Sequence, residues 1–289
     1  MKEAQSGGAD NMRPREGMEQ RKRDEAEFHD RREFLRHHDK EAYERMTRNK
    51  KYYSITRRSV EFVEQWLRER CTGKRLLDYC CGTGQVSFQA ALYGAEVTGI
   101  DISAESIESC LEQARVRELS EKMRFLVMDA ENLQFSEQNF DLIVCSGVLH
   151  HLDIRKAFRE LARVLRPDGQ ILCIEALGHN PLINLYRRLT PSMRTRWEVD
   201  HIIKRRELEI ARDYFSDVET HFYHLFSLLS VPFRNTVLFD PLLRALEKVD
   251  DIALEFPLIK YQAWQTVFIL RGPGRQSRLE DQKVADLAS

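Results

Sequence analysis

The sequence predicts an α/β fold, a largely parallel sheet covered by helices on both faces. Two observations carry that expectation. Short, near-continuous apolar runs at 75–79, 96–100, 123–128, 140–146 and 170–176 alternate with helical apolar spacing at 85–92, 103–119 and 154–165, and strands apolar on both sides are strands buried on both sides. The first run also passes through Asp78, Cys80, Gly82 and Gly84 into a helical stretch, while the second ends on an isolated acid, Asp101. A glycine turn between strand and helix lets backbone approach a ligand closely, and open sheets of this kind bind ligands at the carboxyl ends of their strands.

The remaining elements follow in order. Residues 1–20 are charged and poor in large apolar side chains, which reads as a disordered tail. A helical extension or lid is expected over 21–72. Its first part alternates charges of both signs, and a solvated face accounts for its arginines. Its second part, 56–71, carries Val60, Phe62, Val63, Trp66 and Leu67 on one side and is stopped by Gly73. The ligand-binding core spans 73–178, with Pro167-Asp168-Gly169 turning into its fifth strand. Over 179–272 two irregular, aromatic-rich segments interrupt further strands at 217–229 and 261–272, which suggests substrate-cap insertions on the core. Residues 273–289 read as a polar tail.

Composition removes several function classes. The chain has 289 residues, 42% of them hydrophobic, enough for one large core. Its 45 basic and 46 acidic side chains leave a net charge of -1, so nucleic acid is not an expected partner. No run approaches the roughly 18 apolar residues of a membrane span, and the N-terminus lacks a signal-like apolar core. Six scattered cysteines without a CxxC pair read as free thiols of a reducing compartment, so a cytoplasmic location is expected. Oligomerisation is left open.

Gly82-Thr83-Gly84 alone is weak evidence, because a structural turn uses the same residues. Its combination with Asp101, about 17 residues further on, is more specific, since a carboxylate there can clamp two ribose hydroxyls. A dinucleotide site would want GxGxxG, whereas residues 82–87 read GTGQVS, with no third glycine. An NAD-dependent oxidoreductase therefore ranks below a mononucleotide-type ligand.

With "LLDYCCGTG", "VTGIDIS", "MDAENLQFSEQNFDLIVCSGVLHHL" and "ELARVLRPDGQIL" in that order, the sequence resembles the class I S-adenosylmethionine-dependent methyltransferases, especially the group containing the ubiquinone and menaquinone C-methyltransferases. The resemblance is strong over 50–178 and weak to about 271. It implies a Rossmann-like, doubly wound seven-stranded sheet whose last strand is reversed, and one bound S-adenosylmethionine. By the same resemblance Asp78, Gly82 and Gly84 would surround the methionine and ribose, Asp101 the ribose, Ile102 and Ala130 the adenine faces, Asp129 the adenine amino group and Ser146 the methionine end. Tyr53 or Arg57 would reach the cofactor's carboxylate from the extension. Cys80 stands where the family most often has glycine.

The function this implies is methyl transfer to an oxygen, nitrogen or carbon of a small, partly apolar metabolite. An RNA or protein methyltransferase is the alternative, though "CSGVLHHL" is not the NPPY-like stretch of a base-nitrogen enzyme. His150 or His151 could act as base, oriented by Glu175, or one could cap a helix while the other packs. The Cys80-Cys81 pair is expected to pack and line the turn, and no metal site is expected. His179 and His201 are weaker candidate bases. Arg187, Arg188, Arg194, Arg196, Arg205 and Arg206 could recognise an acidic acceptor or lie solvated beside Glu198, Asp200, Glu207 and Glu209. Phe222, Tyr223, Phe226, Phe233, Phe239 and Phe256 could line an apolar pocket or pack in the core.

Overall fold

The computed structural model describes residues 19–190, 195, 197 and 201–274. Nearly all of both expected tails, together with Arg194, Arg196, Glu198 and Asp200, lies outside the described residues. The strands are β1 (Arg75–Tyr79), β2 (Glu96–Asp101), β3 (Met123–Val127), β4 (Phe140–Ser146), β5 (Leu165–Ala176), β6 (Phe215–Tyr223) and β7 (Gln265–Pro273). They form one seven-stranded sheet in the order β3-β2-β1-β4-β5-β7-β6. Parallel pairing joins β3 through β5, whereas β7 runs antiparallel to both β5 and β6 and is the reversed strand.

The strand order changes direction between β1 and β4, and there the chain leaves a crevice at the carboxyl ends of the strands. Register aligns that edge, with Tyr79 opposite both Ile100 and Cys145. The continuous apolar runs are explained by alternation: Leu77, Tyr79, Ile143 and Cys145 face one buried cluster, while Leu76, Leu142 and Val144 face the other.

Helices α4 (Gln85–Leu92), α5 (Ala104–Val116) and α6 (Ile154–Val164) connect the parallel strands, and α3 (Arg57–Arg70) packs on α4. Ahead of them lie α1 (Gln20–His38) and α2 (Lys40–Met46), where the charge-rich segment suggested a solvated helix. α1 is instead docked, with Glu25, Ala26 and Glu33 buried. Beyond the core, α7 (Pro181–Leu189), the short α8 (Arg205–Ile210) and α9 (Phe239–Ala253) occupy the inserted segments.

Two of the boundaries that differ from expectation have a visible cause. β5 begins at Leu165, not after Gly169, and absorbs the Pro-Asp-Gly step as a register shift between Phe140 and Leu142 of β4. A Cβ on Gly169 would stand 2.8 Å from the Asp141 carbonyl, so that irregularity needs glycine. β6 stops at Tyr223 because the Asp250 carboxylate of α9 accepts the Leu225, Phe226 and Ser227 amides at 3.2, 2.6 and 3.2 Å, diverting the chain from the ladder.

Candidate active site

The carboxyl edge of β1 and β2 is built by two buried aspartates. Asp78 accepts the amide and hydroxyl of Ser87 at 2.9 and 2.6 Å, and this holds the first turn of α4 against the strand. Burial pushes its carboxyl up to about 6, a rise that the Ser87 donors partly oppose. Asp101 accepts the Gly82 amide at 2.8 Å and the Ser103 amide at 2.9 Å, fastening the glycine turn to the start of α5. Burial raises this carboxyl as well, against those two backbone donors.

The two glycines of the turn have different duties. Gly82 has a φ of +51° and nothing within 4 Å of where a Cβ would stand, so its backbone borders open space. Gly84, at φ +74°, would drive a Cβ to 2.9 Å from the Cys110 sulfur; it permits helix packing and does not line the cavity. Cys80 takes the same left-handed backbone, φ +59°, without being glycine. All six cysteines are free, and Cys110 directs its thiol to the Gly82 carbonyl at 3.3 Å.

A cavity of about 870 Å³ opens above this edge. It receives Asp78, Cys80, Gly82 and Asp101 from the first two strands, then Ile102, Asp129, Ala130 and Ser146 further along the edge. Ala130 is held in place by the buried Tyr79 hydroxyl, which donates to its carbonyl at 2.6 Å. Asp129 is engaged from the cover: Lys22 of α1 lies 2.8 Å from its carboxylate and 3.1 Å from Glu131.

After β4 the chain makes a tight turn carrying His150 and His151. Glu175, buried on β5, accepts the Val148 and Leu149 amides at 2.8 and 2.7 Å with one oxygen and faces His150 Nδ1 at 2.7 Å with the other. This fixes the ring, with Nδ1 turned to the carboxylate. His150 and His151 line the cavity with ring centres 4.3 Å apart; Glu175 stands behind them.

Two residues of the extension are placed differently from one another. Tyr53 lines the cavity, edge-on to Trp264 at 5.7 Å. Arg57 does not line it: its guanidinium is ion-paired with the buried Glu247 of α9, so it ties the extension to the cap. Among the cap arginines, Arg187 is buried at the cavity wall and donates to the Leu177 carbonyl at 2.9 Å. Arg205 pairs with Glu209 on the surface at 2.8 Å. His179 and His201 lie outside the cavity lining, and of the six cap aromatics named from sequence only Phe226 is part of it.

Sequence reasoning missed the underside of α1. Arg21 donates to the His151 carbonyl at 2.6 Å and pairs with Glu131, which is buried and accepts the Asp153 amide at 2.7 Å. Glu25 and His29 of the same helix face His151, with Glu25 Oε2 3.1 Å from His151 Nδ1. Burial, aided by Arg32, pushes the His29 imidazole well below its ordinary value. A helical wheel over 20–38 puts Arg21, Glu25 and His29 on one stripe, but nothing in the sequence says that the stripe is covered.

The strand order and the placement of acids and glycine at its carboxyl edge define a doubly wound domain with a candidate ligand-binding edge. The family described as "Methyltransferase domain" matches residues 77–173, about a third of the chain. The chain is 37% identical over 102 residues to an uncharacterized methyltransferase of Bacillus subtilis, a match covering 35% of this chain and 40% of that protein. It is also 37% identical over 105 residues to a ubiquinone/menaquinone biosynthesis C-methyltransferase of Rhodopseudomonas palustris, covering 35% and 42%. The chain thus spans about two fifths of the length of the curated relatives it matches. Its fold is like that of a protein of Pyrococcus horikoshii, with a TM-score of 0.52 at 21% identity over 75% of this chain and 91% of that one.

Proposed function

We propose that the protein is an S-adenosylmethionine-dependent methyltransferase acting on a small, partly apolar metabolite. One observation carries this reading: the Asp101 carboxylate at the end of β2 stands beside the open Gly82 backbone, at the mouth of a cavity large enough for cofactor and acceptor together. Asp101 accepts backbone amides on both oxygens, and a carboxylate has about four lone-pair positions, which leaves acceptor capacity for ribose hydroxyls. Ile102, Met128 and Ala130 offer apolar walls for a purine.

The bound cofactor supplies an electrophilic methyl group on a sulfonium sulfur. The chain's own part is to align the acceptor and exclude water. Tyr52, Tyr186 and Trp264 at the cavity wall suit an apolar or aromatic acceptor, and the buried Arg187 suits a carboxylate or phosphate on it. His150, oriented by Glu175, is the base for a hydroxyl or acidic carbon acceptor, taking the proton on Nε2. His151 is its neighbour on the same wall. Free thiols throughout the described core support a reducing, cytoplasmic setting. Among the described residues no helix is long and apolar enough to cross a membrane.

Calorimetric titration with S-adenosylmethionine and S-adenosylhomocysteine, beside NAD, tests the reading. Binding of the first two and not the third is the expected result. Binding of NAD alone would overturn it.

A further inference from the structure

Glu25, His29 and His151 form a cluster outside the machinery assigned above. Glu25 and His29 lie one helical turn apart on α1 and so share a face, and His151 meets them from the turn after β4. Their nearest ligand-type atoms all fall within 4.8 Å of one another. Glu25 Oε2 is 3.1 Å from His151 Nδ1 and 3.8 Å from His29 Nε2.

The atoms at the centre lie within ion-pair distance but not in good hydrogen-bond geometry. Glu25 is 5% exposed, and both its Oε2 and His151 Nδ1 are buried without a hydrogen-bond partner among the described residues, despite their closeness. The two are close enough to attract each other as an ion pair, and with no further partner among the described residues the spot can accept a third party. We propose that these three side chains bind a divalent first-row transition ion such as Zn²⁺, with an open coordination position facing the cavity.

The donor set suits that class of ion. Two imidazoles and one carboxylate, with a further position left to water or substrate, is a composition that such ions favour over Mg²⁺ or Ca²⁺. Bonds of about 2.0–2.1 Å in a tetrahedron set ligand atoms about 3.3 Å apart, so the Glu25–His151 spacing is already compatible and His29 needs to rotate inward. Thr195 donates to the other Glu25 oxygen at 2.6 Å, the kind of outer contact that orients a ligating carboxylate. Of the cations on α1, Arg21 and Lys22 pair with Glu131 and Asp129.

All three residues line the cavity. An ion there would join α1 to the β4 turn and present a Lewis acid beside His150, suited to an acceptor with a hydroxyl, carboxylate or phosphate oxygen. That role rests on the methyltransferase reading; binding of the ion does not.

The test uses the full chain stripped with a chelator and titrated with Co²⁺, followed by visible absorption, with Zn²⁺ as competitor. One equivalent should develop ligand-field bands that Zn²⁺ abolishes, and Zn²⁺ should raise the thermal midpoint. Glu25→Gln and His29→Ala should each weaken binding by at least about 100-fold, since loss of mere outer-sphere partners already costs 10–100-fold. S-adenosylhomocysteine titrated into the same variants reports that they are folded. No bands in the wild type, or bands equally strong in both folded variants, would overturn the proposal. Cobalt binding without any affinity for S-adenosylhomocysteine would keep the metal site and sink the methyltransferase reading instead.

Discussion

The carboxyl edge of β1 and β2 and the cover laid over it by α1, α7 and the 225–229 segment enclose the same cavity by different means. At the edge, each polar group is answered by a near neighbour in sequence: Asp78 by Ser87, and Asp101 by Ser103 and by Gly82 across a single crossover. In the cover, partners come from far along the chain, as with Arg21 and Glu131, Arg57 and Glu247, and Asp250 and the 225–227 amides. The edge also leaves few loose ends, whereas Glu25, His151 and Glu247 each keep an unpartnered buried atom in the cover. A pre-formed ligand edge beneath a less settled lid is the division expected where one ligand is fixed and the other varies.

That comparison can be broken or sharpened by experiment. The largest effect is expected for Asp101→Ala, which strips both the proposed ribose acceptor and the anchor of the Gly82 and Ser103 amides. Hydrogen bonds to a charged group are worth about 1.5–3 kcal/mol each, so S-adenosylhomocysteine affinity should fall by about 100-fold or more in calorimetry. An unchanged affinity would remove the edge from the cofactor site.

Next comes Gly84→Ala. A left-handed backbone costs a non-glycine residue about 1–2 kcal/mol, and the new methyl would meet the Cys110 sulfur at 2.9 Å. Urea denaturation should show a loss of about 2–3 kcal/mol, and adding Cys110→Ala should return part of it. Full additivity of the two substitutions would show that the contact carries no strain.

A third expectation concerns pH. His224 sits at the junction of β6 and the cap, buried beside the Ser59 hydroxyl at 3.0 Å, and burial lowers its imidazole to about 4. Its folded value lies below the unfolded one, so the favourable contribution is complete above about 6.5 and is lost as pH falls toward 4. Between pH 7 and 5 this amounts to on the order of 2 kcal/mol, which His224→Gln should abolish in equilibrium unfolding at the two pH values.

The smallest effect belongs to Arg57→Ala. Its side chain is 39% exposed while Glu247 is buried, so screening limits the pair to about 1 kcal/mol. Thermal unfolding should shift slightly, with cofactor affinity unchanged. A large loss of cofactor affinity would restore Arg57 to the ligand-binding role that its sequence position suggested.

The edge was legible in the sequence because its determinants are local. Strand periodicity, a glycine turn and an acid at a fixed interval are written within 30 residues, and Asp78, Gly82, Asp101, Asp129 and Ala130 reach the cavity region through them. Gly84 was read as a ligand contact for the same reason, yet its constraint is set by Cys110 on α5, a contact that local spacing does not encode. The cover was hard to read because the amphipathic stripe of α1 is polar. Arg21, Lys22, Glu25 and His29 resemble a solvated face until Glu131, Asp129 and His151 arrive beneath them. The order of β6 and β7 was similarly hidden, since pairing across an insertion is a long-range choice.

The position of β7 bears on how the chain comes to be folded in the first place. It is the last strand in sequence yet lies between β5 and β6, pairing with both along their length. During synthesis β5 is an open edge and β6 has no strand neighbour until residues 265–273 have left the ribosome. One side of the nascent sheet therefore stays adhesive until residues 265–273 have been made, and a chain cut short before Gln265 is left with two raw strand edges and a tendency to aggregate.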